Sequence, residues 1–127
     1  MSRTAAELTE EEIALYRAAA RKRKAREDQA LAQRIERAWA LARQAAALLK
    51  EQFGATRVVV FGSLTREETF TPWSDVDVAA WGIRMEDTFR AIGAVWDLDS
   101  EIEVNLVDVN IARASMLRSI EREGIDL

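Results

Sequence analysis

Apolar positions recur along this chain with two different periods, and the change falls at Gly54. Before it, "LTEEEIALY" sets Thr9 three residues ahead of Glu12. At that spacing a threonine hydroxyl accepts from a first-turn amide while the glutamate reaches back, so a helix is expected to begin there. From Leu31 onward, Leu31, Ile35, Ala38, Ala42, Ala45 and Leu49 alternate spacings of four and three, drawing one stripe down a helix that should stop at Gly54. The stripe fits packing on the chain's own sheet. The mostly charged stretch before Leu31 is left for contact with a partner or with a second copy of the chain.

After Gly54 the period shortens to two. "RVVVF" (57–61) is short and β-branched, while "DVDVAAW" (75–81) and "EIEVNLVDV" (101–109) alternate, predicting three strands. Between the last two, "MEDTFRAIGAVWDL" reads as a helix with Phe89, Ile92 and Trp96 on one side. "NIARASMLRSIEREG" reads as a closing helix ended by Gly124. Asp108 is expected to face away from Asn105 and to cap that last helix, with Asn110 the competing cap. The order predicts an α/β fold: a small mixed β-sheet flanked by helices, with a long N-terminal helical extension. Residues 1–53 form the extension and packing helix, and residues 54–127 form the core.

Composition narrows the chemistry. A chain of 127 residues is sized for one ordinary domain. With no cysteine and no histidine, thiolate sites, disulfides and the commonest general base are all excluded, so any bound metal must be held by oxygen. Apolar runs fall far short of the roughly 18 residues that cross a bilayer, and the start lacks a signal-peptide plan, so no membrane role and a cytoplasmic location are expected. The formal net charge is -4, with basic residues in excess before Gly54 and acidic ones after it. The cluster "RKRKAR" (21–26) suits either a solvated helix face or a phosphate-rich partner. The acidic balance of the whole chain argues against nucleic acid.

The chemistry-bearing stretch is "VFGSLTREETFTPWSDVDVA" (60–79). Residues two apart on a strand share a face, so Asp75 and Asp77 present their carboxylates together. Such a pair is repulsive unless a cation joins it, and a hard divalent ion does so. Directly after the first strand, Gly62 permits a backbone conformation or close approach denied to other residues, and the Ser63 amide and hydroxyl can donate to phosphate. Arg66 adds a permanent fork-shaped charge. A phosphate cradle beside a carboxylate pair is what nucleotidyl transfer requires. Asp-x-Asp alone, or Gly-Ser alone, would be an ordinary strand end and an ordinary turn.

In this combination the chain resembles the minimal nucleotidyltransferase domains of the DNA polymerase β superfamily, whose signature is Gly-Ser, a loop, then Asp-x-Asp. The resemblance runs from about Val58 to the end. It implies a nucleotide-binding set of Gly62, Ser63, Arg66 and Ser74, a metal pair Asp75 and Asp77 that is also catalytic, magnesium or manganese as cofactor, and ATP as donor. The loop before Asp75 is one residue longer than usual, which a surface loop absorbs at little cost. The family's third carboxylate falls at Asn105, and a neutral amide ligates weakly and cannot serve as a base. Glu103, two residues earlier on the same face, is the substitute that could reach the site; otherwise it is a solvated strand residue.

The resemblance also implies a partner, because small stand-alone domains of this kind occur as antitoxins that adenylylate a tyrosine hydroxyl of a helical, HEPN-type toxin. The competing reading is a degenerate module that neutralises its partner by contact alone. Of Trp39, Trp73, Trp81 and Trp96, most are expected at the core or its rim, while Trp73, in the loop between turn and aspartates, is placed to cover a base.

Overall fold

The computed structural model describes residues 7–127, which run α1 (Glu10–Phe53), β1 (Arg57–Phe61), β2 (Val76–Trp81), α2 (Thr88–Trp96), β3 (Val104–Asp108), α3 (Ala114–Glu123) and β4 (Ile125–Asp126). Contacts divide the chain into two compact units, Met1–Gln33 and Arg34–Leu127. In the first, the Thr9 hydroxyl accepts from the Glu12 amide (3.1 Å) and donates to the Glu12 carboxylate (3.3 Å), so the expected cap starts α1. Residues 21–30 of the helix are all exposed, and so are Leu15 and Tyr16. No helix among the described residues is long and apolar enough to cross a membrane.

Of the expected stripe, α1 buries Ala38, Ala42, Ala45 and Leu49, together with Leu41 and Ala46, while Leu31 and Ile35 are only half-buried. It ends at Phe53, and Gly54 takes a positive φ of 70 that allows the reversal into β1. The sheet has the order β3-β2-β1-β4, with β1 antiparallel to β2 and β4, and β2 parallel to β3. This is the small mixed sheet that the alternation predicted. On one face, Val59, Phe61 and Ala79 pack with Ile120 of α3. The other carries Val58, Val60, Val78, Ala80, Val104 and Leu106, all buried.

Four features depart from expectation. The sheet has a fourth strand: after α3 the chain turns at Gly124, and Ile125–Asp126 pairs with Val59 and Val60. Gly124 is needed here for room, since a Cβ would collide with Val59 Cγ1 and the Ile120 carbonyl oxygen. The strand expected over 101–109 begins only at Val104, because the Asp99 carboxylate accepts from the amides of Glu101 (3.0 Å) and Ile102 (2.9 Å) and turns the chain.

Helix α2 buries Thr88, Ala91 and Val95, leaving Phe89 82% and Trp96 48% exposed. Small side chains, not the bulky stripe, admit this helix close to the sheet. Asp108 does not cap α3, whose first turn has no side-chain cap. It is buried, accepting from the Thr88 hydroxyl (2.6 Å) and the Asn110 amide (2.9 Å), while Asn110 donates its side chain to the Ile83 carbonyl (2.8 Å).

Candidate active site

The strand directions bring the C-terminal end of β1 together with the N-terminal ends of β2 and β3. Phe61 pairs with Asp77, and Asp77 with Asn105, so the Gly62 turn, the aspartates and Asn105 lie in that order across the sheet. Gly62 is required twice over. Its φ is 77, and a Cβ there would stand 2.8 Å from Asp77 Oδ2, within the space the carboxylate occupies.

From Gly62 the chain enters a 3-10 turn, Gly62–Thr65, anchored by buried Leu64 and by the Thr65 hydroxyl on the Gly62 carbonyl (2.7 Å). A second turn, Glu67–Thr69, is tied to α1 by the Trp39 indole N–H donating to Glu67 (3.1 Å). The Thr69 hydroxyl bonds back to the carbonyls of Ser63 (3.1 Å) and Arg66 (2.7 Å). What remains outward is the Ser63 hydroxyl, without a protein partner among the described residues, and the exposed Arg66 guanidinium, in no ion pair among them. These are donors held ready on a folded turn.

Across from the turn, Asp77 is partly buried, and its one hydrogen-bond partner among the described residues is the Asn105 side-chain amide, at a long 3.4 Å. Burial pushes its carboxyl above the ordinary aspartate value; the Asn105 bond opposes that, and the charge of Asp75 adds to it. Neither aspartate has a Lys or Arg partner among the described residues. Hard oxygen donors with uncompensated charge fit a divalent cation. The set is incomplete by itself: among the described residues no group of three or more His, Cys, Asp or Glu is placed to hold a metal, and the third neighbour here is the Asn105 amide.

The remaining expected residues are distributed around this centre. Ser74 engages its hydroxyl with Thr71, whose amide donates to it (2.9 Å), and Arg34 donates to the Ser74 carbonyl (3.1 Å), fixing the loop to α1. Glu103 is exposed, one residue ahead of β3, and lines an open cleft of about 700 Å³ that it shares with Asp75 and not with Asp77 or Asn105. Trp73, 85% exposed, lines the same cleft. Trp39 and Trp81 are partly buried, Trp81 under the Arg57 guanidinium at 4.4 Å. Sequence reasoning missed Arg34, Trp96, Asp97 and Glu101, which also line the cleft. The acidic run after Trp96 was the one available signal.

Residues 42–127 match the family described as the nucleotidyltransferase domain. No curated protein matches the chain. Among solved structures, the fold is similar to that of a toxin–antitoxin, MntA–HpeT, in a tyrosine-to-alanine mutant, with TM-score 0.54 and 19% identity over 67% of this chain and 69% of that one. It is similar to a toxin–antitoxin with AMP-PNP, TM-score 0.55 and 21% identity over 67% and 70% of the two chains. A MntA–HpeT mutant with two aspartates, two positions apart, replaced by glutamate gives TM-score 0.54 and 15% identity over 67% and 70%. At such identities the likeness is one of fold.

Proposed function

The chain belongs to the nucleotidyltransferase domain family, and from that premise we propose that it transfers AMP from ATP to a hydroxyl of a protein partner, as the antitoxin of a toxin–antitoxin pair. The observation that carries the reading is the uncompensated pair Asp75 and Asp77 set against the Gly62 turn, with Asp77 raised by burial and by its neighbour. Support for the nucleotide and for a protein partner comes from the neighbours of like fold, which are toxin–antitoxin complexes, one of them with AMP-PNP. A helical toxin of the HEPN type is the partner the family resemblance implies, and the N-terminal part of α1 offers it an exposed helix face.

The residues divide the work by position. The Gly62 and Ser63 amides, the Ser63 hydroxyl and Arg66 bind the β- and γ-phosphates, with Ser74 bordering the site. Asp75, Asp77 and the carbonyl oxygen of Asn105 would hold magnesium or manganese, which when bound offsets the charge of the phosphates and polarises the reacting phosphoryl group. The acceptor hydroxyl oxygen bonds to the α-phosphorus as the bond to the bridging oxygen breaks. Pyrophosphate leaves with the electron pair, and Glu103 takes the hydroxyl proton.

Asn105 favours a second reading, a module that holds nucleotide weakly and neutralises its partner by contact. The two separate in a thermal-shift titration with each nucleoside triphosphate, with and without magnesium, beside the Asp75→Asn, Asp77→Asn double variant. ATP at about a hundred times its Kd should stabilise the fold by roughly 2.7 kcal/mol, a rise of several degrees. The transferase reading expects that rise to need magnesium and to vanish in the variant. Absence of any rise, with undiminished partner binding by the variant, would leave the contact module.

A further inference from the structure

Beyond Asp75, on the β3 side, the cleft is walled by Trp73 from the loop before β2, by Trp96 and Asp97 at the end of α2, and by Glu101 and Glu103 from the turn into β3. Two features set it apart from the turn at Gly62. Its indoles are exposed, Trp73 by 85% and Trp96 by 48%, so large π-faces border it and meet solvent. Its charge is negative and unsatisfied. Asp99 is neutralised by Arg37 at 2.7 Å, but Asp75, Asp97, Glu101 and Glu103 form no ion pair among the described residues, and Arg34 is the cleft's one cation. Such a lining repels polyphosphate and attracts a cation, which indoles bind through their faces.

Position assigns the cation to the acceptor side. The phosphate-binding turn follows β1, the aspartates open β2, and the cleft is lined by Asp75 and by the residues that lead into β3, Glu101 and Glu103 among them. An in-line displacement places leaving pyrophosphate and attacking hydroxyl on opposite sides of the phosphorus. With pyrophosphate on the turn, the hydroxyl enters from the cleft. The outer face of α2 adds an apolar approach that ends on Trp96, with Phe89 82% exposed.

Resting on the transferase reading, we infer that this cleft is the acceptor subsite and that it takes a cationic polypeptide segment, an arginine or lysine beside the accepting tyrosine. The guanidinium or ammonium lies against Trp73 and Trp96 within the acidic rim. The probe is a labelled peptide, Gly-Gly-Arg-Tyr-Arg-Gly-Gly, titrated into the full chain by fluorescence anisotropy, beside Gly-Gly-Glu-Tyr-Glu-Gly-Gly and with free adenosine as competitor.

The basic peptide should bind about tenfold tighter than the acidic one, weaken with salt, and lose about tenfold in Trp96→Ala and in Glu101→Lys, an exposed position, with the circular dichroism of each variant matching the parent. Equal binding of both peptides, or displacement of the basic one by adenosine, overturns the inference; displacement would make the cleft a base pocket. The ATP titration above keeps the two readings apart. Magnesium-dependent stabilisation without peptide preference removes the acceptor subsite and leaves the nucleotide site standing. Peptide preference without ATP stabilisation supports the cleft's cation chemistry while removing the transferase.

Discussion

Two aspartates on opposite faces of the sheet show what distinguishes a structural carboxylate from a functional one. Asp108, at the end of β3, is 1% exposed and receives the Thr88 hydroxyl at 2.6 Å and the Asn110 amide at 2.9 Å. Asp77, on β2, is less buried, receives one long bond from Asn105 and stands beside the like charge of Asp75. The deeper carboxylate is the contented one, because its neighbours donate to both of its oxygens. Burial alone therefore does not mark the site; charge left without a partner does.

The largest effect expected from this contrast is at Asp108. Asp108→Ala strands the Thr88 hydroxyl and the Asn110 amide, and should cost about 3 kcal/mol of folding stability, read as a lowered urea midpoint. A cost below about 1 kcal/mol would mean that these groups find other partners and that Asp108 does not hold α2 to β3. Nucleotide affinity per folded molecule should stay as it was, since none of these atoms faces the Gly62 turn.

Next in size is Asn105→Asp, which adds a third charge to the face that already carries two. Without metal the variant should melt lower than the parent, by about 1 kcal/mol of stability, and magnesium should reverse the loss. In a single-turnover assay its transfer rate should rise. A folded variant whose rate is unchanged or lower would remove Asn105 from the third-ligand position.

How much of this was legible in the sequence depended on whether the cause was local. β1 could be read because a β-branched run is bounded by Gly54 and Gly62, and the Gly62 turn with Asp75 and Asp77 could be read because strand parity fixes which side chains share a face. β4 could not: two residues carry no period, and its pairing depends on Gly124 passing close to Val59. The inward face of α2 was ambiguous because both faces of a nine-residue helix are apolar, and the sheet selected Thr88, Ala91 and Val95 by size. The partnership of Thr88 with Asp108 joins positions twenty apart, and the cleft joins Arg34 to residues beyond 70, so neither leaves a pattern along the chain.

The smallest expected effect is also the sharpest test of the contrast. Asp77 has its carboxyl raised in the folded protein, by burial first and by Asp75 after it, against the opposing bond from Asn105. The folded state therefore holds the proton more tightly than the unfolded chain, and stability falls as pH rises from the ordinary aspartate value through the raised one. At neutral pH, without metal, the charged form is a standing cost. Asp77→Asn keeps the shape and removes the charge, so the variant should melt slightly higher than the parent at pH 7. The gap should close as the pH drops toward the ordinary carboxylate value, where the parent is neutral too. Magnesium should narrow the gap from the other side, by stabilising the parent and not the variant. A variant that melts lower than the parent at pH 7 in the absence of metal would mean that the Asp77 charge is already compensated within the fold, and the case for a cation between Asp75 and Asp77 would lose its electrostatic ground.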